Sequence, residues 1–407
     1  MRGTKRWGLV GALALVAAVA VAAVGVTAAS GAKSAKKTIV IGFAADLSGQ
    51  MAPFDNPALT AARLEAKKIN GLGGVNGAKL EVISCDTQNS KPDVSKSCVD
   101  NVVSKGAVVG MVTCDVDFAT AAIQEFLNKG LLTIAPCIGT DQMRPKRFGA
   151  LGKLAFSYGN VAQDEGAAMA EYAYNVKHWK TAITVTNNLL VYFKNIIQSF
   201  TSRFKQLGGT IVDTESYTSF QNQVQGVVSR VNAHKAAMIA ICDGFPPDWP
   251  AFFAGIRSLG NNTPIMNSWA GDGTFWYPKN PKVTNYWYVT YASVFGDDPS
   301  AQVQALIGKM KALGAKAAPA TGGFVTGAAA IDGIVTAIRR AGGTTTGTTL
   351  AGVMSKFHNV PTISGLVSFS PLLHSVFGRT YRVIAVQNNS PKFVGAIKAS
   401  SPAVISG

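Results

Sequence analysis

The chain has 407 residues, of which 47% are apolar and 15% are charged, and its formal net charge is +16. This length is sufficient for two domains with hydrophobic cores, and the composition excludes a disordered or fibrous protein. The basic residues form no cluster interleaved with aromatic side chains, so we expect no nucleic-acid partner.

The beginning of the chain has the composition of a secretory signal peptide, which we assign to residues 1–32. Arg2, Lys5 and Arg6 precede an apolar run at 8–26, and small residues follow it. This order is typical of exported proteins, so we expect the protein in the periplasm or the cell-envelope space. An uncleaved anchor is the alternative, because the apolar run is close to the roughly 20 residues that span a bilayer.

The next part of the chain alternates short β-branched runs with helical patterns. We predict strands at 38–47, 79–84, 108–113 and 131–135, and helices at 57–70, 94–103 and 118–128. This alternation is typical of βαβ units on a parallel sheet. A glycine-rich segment at 71–77 precedes a strand rather than following one, so we interpret it as a turn and not as a nucleotide loop.

A second series of the same kind follows. We predict helices at 164–176, 193–208, 222–234 and 249–260, and strands at 181–187, 210–217, 236–242 and 263–268. Extended segments at 153–160 and 285–293 have the position of crossovers between two domains. Two further helices, at 301–314 and 322–342, precede a β-like end with a turn at Asn388 and Asn389.

Five cysteines are present, and thiols outside the cytoplasm tend to pair. If the runs that end at Cys114 and Cys137 are neighbouring parallel strands, their ends lie side by side. We predict disulfides between Cys85 and Cys98 and between Cys114 and Cys137, with Cys242 free. Buried thiols without any bond are the alternative.

Motifs for catalysis, metal binding or cofactor binding are not found, so we expect neither an enzyme nor a metal or cofactor site. No two histidines have i, i+4 spacing, and no G-x-S-x-G or phosphate-binding loop occurs. We expect Asp117 to cap a helix that starts at Phe118, and Asp115 to face a ligand, because ligands collect at the carboxyl ends of parallel strands. Catalysis with Asp115 as a base is an alternative.

The segment 41–82, with D-L-S-G at 46–49, a helix ending in Asn70 and G-G-V-N-G at 73–77, resembles the opening of type I periplasmic solute-binding proteins of ABC importers, in the leucine/isoleucine/valine-binding branch. The tail resembles the family pattern through Gly365, Phe369 and Pro371. The resemblance implies an α/β fold of two doubly wound parallel-sheet domains joined by three crossovers. We place the N-terminal lobe at 38–157 plus 292–370 and the C-terminal lobe at 160–288 plus 378–400.

The resemblance also implies a ligand cleft between the lobes. By position, its lining comprises Phe54, Asp115, Val116, Ile138, Gly139, Thr140, Tyr158, Tyr192, Phe245 and Trp269. Amino-acid binders commonly place a serine where this chain has Asp115, and a glutamate near Ser268 and Trp269, so the chain departs from the amino-acid pattern at both positions. We expect a monomer that delivers a small polar or amphipathic molecule, amino-acid-like or related, to an ABC permease; a ligand sensor without transport is the alternative.

Overall fold

The structure is a computed structural model that describes residues 38–401, so the predicted signal peptide lies outside the described residues. In the first part of the chain, strands β1 to β5 alternate with helices α1 to α4. Their bounds are β1 (Thr38–Ala45), α1 (Ala52–Gly71), β2 (Lys79–Asp86), α2 (Pro92–Ser104), β3 (Ala107–Val112), α3 (Val116–Asn128), β4 (Leu132–Ala135), α4 (Pro145–Phe148) and β5 (Ala155–Ser157). These strands form a five-stranded parallel sheet in the order β2-β1-β3-β4-β5.

The rest of the chain builds a second sheet and returns once to the first. The elements are α5 (Ala162–Glu171), β6 (Thr181–Asn187), α6 (Val191–Gln206), β7 (Thr210–Tyr217), α7 (Val224–Ala233), β8 (Met238–Cys242), α8 (Asp248–Ser258), β9 (Ile265–Asn267), β10 (Tyr286–Thr290), α9 (Ala301–Ala312), α10 (Phe324–Arg340), α11 (Gly347–Met354), β11 (Val360–Thr362), β12 (Gly365–Val367), β13 (Tyr381–Gln387) and β14 (Ser390–Ile397). The second sheet has seven strands in the order β14-β13-β10-β9-β8-β6-β7, and only β13 and β14 are antiparallel to their neighbours.

The predicted fold class is confirmed. The chain passes between the two sheets three times, after β5, after β10 and before β13. The second and third passages arise because α10 and α11 pack against the first sheet, whereas β13 and β14 extend the second. Both predicted crossover segments contain a short strand, β5 and β10, that adds to a sheet before the chain leaves it. Helix α11 and strand β11 were not predicted, because each is too short to show a clear hydrophobic period.

The sequence motifs at the start of the chain have local physical roles. Asp46 accepts the N–H groups of Gly49 and Met51 at 2.8 and 3.0 Å and so closes the loop between β1 and α1. Asn70 pairs with both backbone polar groups of Leu80 at 2.8 Å, which joins the end of α1 to β2. The glycine-rich segment is a turn, as predicted, and it needs glycine because Gly74 has φ +78° and a Cβ there would lie 2.0 Å from a carbonyl oxygen.

The two predicted disulfides are confirmed. Cys85 pairs with Cys98 and Cys114 with Cys137, with Cα atoms 5.5 and 4.7 Å apart, and Cys242 is free and buried. The second bond joins the ends of β3 and β4, which are neighbours in the first sheet. Within residues 38–401, no helix combines the length and the apolar character needed to span a bilayer.

Candidate functional site

A cleft between the two sheets collects side chains from loops at the carboxyl ends of strands. In this structure the cleft is narrow, with an open volume of about 20 Å³ between its walls. The first lobe contributes Met51, Phe54, Cys114 and Asp115, and the second lobe contributes Leu190, Tyr192, Phe193, Gly244, Phe245, Trp269 and Ala270. An apolar cleft with few polar groups is the usual construction of a small-molecule site.

Five of the ten residues predicted for the cleft lie in this lining: Phe54, Asp115, Tyr192, Phe245 and Trp269. The lining also includes residues that the sequence did not single out, namely Met51, Leu190, Phe193, Gly244 and Ala270. Leu190 and Phe193 lie near Tyr192 at the start of α6, so the signal that found Tyr192, its place in the segment that follows β6, applied to them as well.

The other five predicted residues lie outside this lining. Val116 and Ile138 are fully buried in the core of the first lobe, and Tyr158 packs there against Phe369 with ring centroids 5.4 Å apart. The carbonyl of Thr140 accepts the hydroxyl of Ser375, and Gly139 lies so close to Tyr192 that a Cβ would be 2.5 Å from the ring. Their role as ligand contacts stays a prediction.

Aromatic rings from both lobes meet across the cleft. Phe54 of α1 contacts Trp269, which follows β9, edge to face at a centroid distance of 5.2 Å. Phe118 of α3 contacts Phe245, which follows β8, at 6.0 Å. Edge-to-face pairs of this kind stabilise by about 0.5 to 1.5 kcal/mol beyond the area that they bury. They hold the lobes together in this structure.

Asp115 has two functions in the structure. It is the N-cap of α3, because its Oδ1 atom accepts the N–H groups of Asp117 and Phe118 at 2.8 and 3.2 Å. It also lines the cleft, with a side chain that is almost completely buried. Burial raises its pKa to about 7, and the charge of Asp117 adds to this effect, while the two N–H groups and Arg147 oppose it.

The prediction that Asp117 caps the helix was wrong, because α3 begins at Val116 and not at Phe118. Asp117 instead makes contacts outside its helix. One oxygen pairs with the Arg147 guanidinium at 2.9 Å, and the other accepts the N–H of Val191, at the start of α6 in the second lobe, at 2.8 Å. Asp117 therefore bridges the two lobes at the rim of the cleft.

Glu165, in the first turn of α5, supports the cleft from behind and was not predicted. Its carboxylate accepts the backbone N–H of Trp269 at 2.7 Å, the hydroxyl of Tyr192 at 2.9 Å and the side-chain amide of Asn160 at 2.8 Å. Burial raises its pKa to about 7, against the effect of these hydrogen bonds. The sequence placed Glu165 inside an ordinary helix, and its partner Trp269 is 104 residues away, so no local signal marks the contact.

The same network reaches the crossovers. Trp269 stacks on Tyr291, which follows β10, with ring centroids 5.1 Å apart, and the Tyr291 hydroxyl donates to Asn160 on the first crossover. Arg379, on the third crossover, lies over the Tyr291 ring at 4.8 Å and donates to the carbonyl of Gly159 at 2.7 Å. Trp269 therefore contacts the second crossover directly, and Tyr291 links it to the other two.

The lining contains aromatic, aliphatic and sulfur-containing side chains with one carboxyl group, and no Lys, Arg or His. Within residues 38–401, no group of three or more His, Cys, Asp or Glu side chains is arranged to hold a metal ion. The arrangement supports recognition of a small molecule by both lobes.

Comparisons with known proteins agree with this arrangement. A family model described as periplasmic binding protein matches residues 38–391. The Leu/Ile/Val-binding protein BraC3 of Rhizobium johnstonii is 22% identical over 338 residues, which cover 82% of this chain and 88% of that protein. LivJ from Streptococcus pneumoniae, solved with isoleucine, matches with a TM-score of 0.75 at 19% identity and covers 89% of this chain and 100% of its own. A solute-binding protein of an ABC transporter from R. palustris, solved with 4-hydroxybenzoate, matches with a TM-score of 0.74 at 16% identity and covers 90% and 98%.

Proposed function

Because the chain belongs to the periplasmic binding protein family, in the branch of the leucine/isoleucine/valine-binding proteins, we propose that it captures a small amphipathic molecule in the cleft and delivers it to the permease of an ABC transporter. The family consists of solute-binding proteins and is not a family of enzymes. The proposal places the protein outside the cytoplasm, in the periplasm or the cell-envelope space, and includes a monomeric state and no chemical change of the ligand.

One observation carries this proposal: a single cleft takes its lining from both lobes. A ligand that contacts both lobes binds the closed arrangement more tightly than the open one, so it shifts the equilibrium toward closure. Closure around ligands by domain rotation about a few connecting residues is a common mechanism. Here the connections are the three crossovers, which Tyr291 and Arg379 join to the cleft through Trp269.

The ligands of two similar structures support the size and character of the molecule. Isoleucine, bound in the LivJ structure, and 4-hydroxybenzoate, bound in the R. palustris structure, are both small and amphipathic. The aromatic rings of Phe54, Phe245 and Trp269 suit the apolar part of such a molecule. Transport is preferred to ligand sensing because similar proteins are named as binding proteins of transporters.

The test is closure driven by a ligand. The small molecules that copurify with the protein are identified by mass spectrometry and then titrated into ligand-free protein by calorimetry and small-angle X-ray scattering. We expect a smaller radius of gyration at saturation. Phe54→Ala removes an aromatic contact to both the ligand and Trp269 and should weaken binding, whereas Phe220→Ala changes a half-exposed ring outside the cleft lining and should not. A radius that does not change on saturation contradicts the proposal.

A further inference from the structure

Backbone N–H groups in the loops around the cleft donate hydrogen bonds to carboxylates of the chain itself. In the first lobe, the N–H of Met51 donates to Asp46 at 3.0 Å and the N–H of Cys114 donates to Asp55 at 2.9 Å. The first turn of α3 donates to Asp115. The start of a helix is an ordinary binding site for an anion, and here the chain itself supplies the anion.

The second lobe has the same arrangement. The N–H groups of Gly244 and Phe245 donate to Asp243 at 2.6 and 3.0 Å, and the N–H of Trp269 donates to Glu165 at 2.7 Å. The start of α6 also faces a carboxylate, because Val191 donates to Asp117 at 2.8 Å.

A ligand carboxylate would therefore find several of these N–H groups already in use and the carboxyl group of Asp115 in the lining. The lining has no Lys, Arg or His side chain. The indole Nε1 atom of Trp269 has no hydrogen-bond partner among residues 38–401, but it is a neutral donor and packs against Gly323, where a Cβ would lie 3.0 Å from it. Burying a carboxylate without a charged partner or several donors is costly.

A cation would find the opposite conditions. The Oδ1 atom of Asp115 is used by the helix cap, whereas its Oδ2 atom has no partner within the described part of the chain. Aromatic rings from Phe54, Tyr192 and Trp269 contribute to the same lining, and ring faces attract cations. A carboxylate beside aromatic rings is the combination that recognises organic ammonium groups.

We propose that the ligand is an organic ammonium compound with a compact apolar or aromatic body, that its cationic group pairs with Oδ2 of Asp115, and that binding requires no carboxylate on the ligand. This inference rests on the proposed function and narrows it to a class of solute. It also gives Asp46, Asp55, Asp243 and Glu165 a common role, since each removes N–H donors that would otherwise attract an anion.

The test uses matched probes that differ only in their charged groups. One series is 3-methylbutylamine, leucine and 4-methylpentanoate, and the other is phenethylamine, phenylalanine and 3-phenylpropanoate. Calorimetry at pH 8 should show at least about tenfold tighter binding of an amine than of the carboxylate with the same body. The inference is overturned if a carboxylate or an amino acid binds as tightly as the matched amine, or if neither amine binds at concentrations on the order of 10 mM.

A variant separates the ion pair from the fold. Asparagine is as good an N-cap as aspartate, so Asp115→Asn should leave α3 intact and weaken amine binding by at least about tenfold. Asp93→Asn removes the same charge from an exposed position in the first turn of α2 and should leave amine affinity unchanged. Equal amine affinities of Asp115→Asn and the parent would refute the pairing.

The outcomes also distinguish this inference from the proposed function. If the amines fail but a copurifying compound of another class decreases the radius of gyration, the cationic ligand is refuted and the solute-binding function stands. If an amine binds without closure of the lobes, the ligand class is supported and the hinge mechanism fails.

Discussion

The carboxyl group of Glu165 provides a measurable pH dependence of stability. Burial raises its pKa from 4.5 to about 7 in the folded protein. A carboxyl whose pKa is raised by folding binds its proton more tightly in the folded state, so its contribution to stability is greatest below pH 4.5 and is lost as the pH rises through 7. We therefore expect Glu165 to make the protein less stable at pH 8 than at pH 5.

The magnitude follows from the pKa difference. One pKa unit corresponds to about 1.4 kcal/mol, so the full effect of Glu165 is about 3 kcal/mol, of which about 2 to 3 kcal/mol falls between pH 5 and pH 8. Asp55 and Asp115, whose pKa values burial also raises to about 7, change stability in the same direction. The parent should consequently show a larger total decrease than Glu165 alone produces.

Glu165→Gln removes the titrating group. Glutamine keeps an oxygen that can accept from Trp269 and Tyr192, but its amide faces the amide of Asn160, so one hydrogen bond is lost at every pH. Subtracting the free energy of unfolding at pH 8 from that at pH 5 cancels this constant loss. We expect this difference to be about 2 to 3 kcal/mol smaller in the variant than in the parent.

The protein is unfolded with urea at the two pH values, and unfolding is monitored by intrinsic fluorescence. Glu81→Gln, at an exposed position on β2, is the control and should leave the difference between the two pH values unchanged. The reasoning is refuted if Glu165→Gln shows the same pH dependence as the parent, because the carboxyl would then titrate alike in the folded and unfolded states.

Three further predictions concern other parts of the molecule. Peptide mapping without reduction should recover the pairs Cys85 with Cys98 and Cys114 with Cys137. The buried thiol of Cys242 should react with a thiol reagent only after unfolding. Rapid labelling of Cys242 in the native protein would contradict its burial. Amine affinity should fall by up to about tenfold per pH unit below pH 7, because Asp115 has a raised pKa and takes up a proton there. The ionisable groups that face Asp115 are Asp117, Arg147 and Cys242. Constant amine affinity from pH 8 to pH 6 would exclude Asp115 as the partner. Asp117→Ala should remove the bond to Val191 and favour the open arrangement, seen as a larger radius of gyration without ligand, whereas Asp117→Asn keeps an acceptor and should change it little.

The elements of the fold were accessible from the sequence because each depends on a local period. β6 and β7 occupy the predicted residues 181–187 and 210–217, and most helices agree to within a few residues at their ends. The disulfides followed from the same pattern, since two apolar runs that end in cysteine are adjacent when they form neighbouring parallel strands. Half of the predicted cleft residues lie in the lining for a similar reason, because the strand ends determine which loops face the cleft.

The position of a helix end depends on smaller free energies than the formation of the helix, and the sequence was compatible with two N-cap residues for α3. Asp115 and Asp117 are both good capping residues, and a cap contributes only about 1 kcal/mol, so composition alone does not choose between them. The choice depends on packing: Val116 is fully buried in the first-lobe core, and Asp117 finds partners in Arg147 and Val191. Asp117, which was predicted to cap the helix, bridges the two lobes instead.

The sequence by itself determined the two α/β layers, the strand ends that face each other and the two cysteine pairs, because these follow from periodicity over short segments. Only the tertiary structure decided which polar groups meet. Glu165 reaches Trp269 across 104 residues, and Asp117 reaches Val191 across 74. Such contacts have no local pattern, since they depend on the angle at which two lobes close. The electrostatic character of the cleft is therefore a property of the folded chain, in which carboxylates accept several of the N–H groups that an anionic ligand would need.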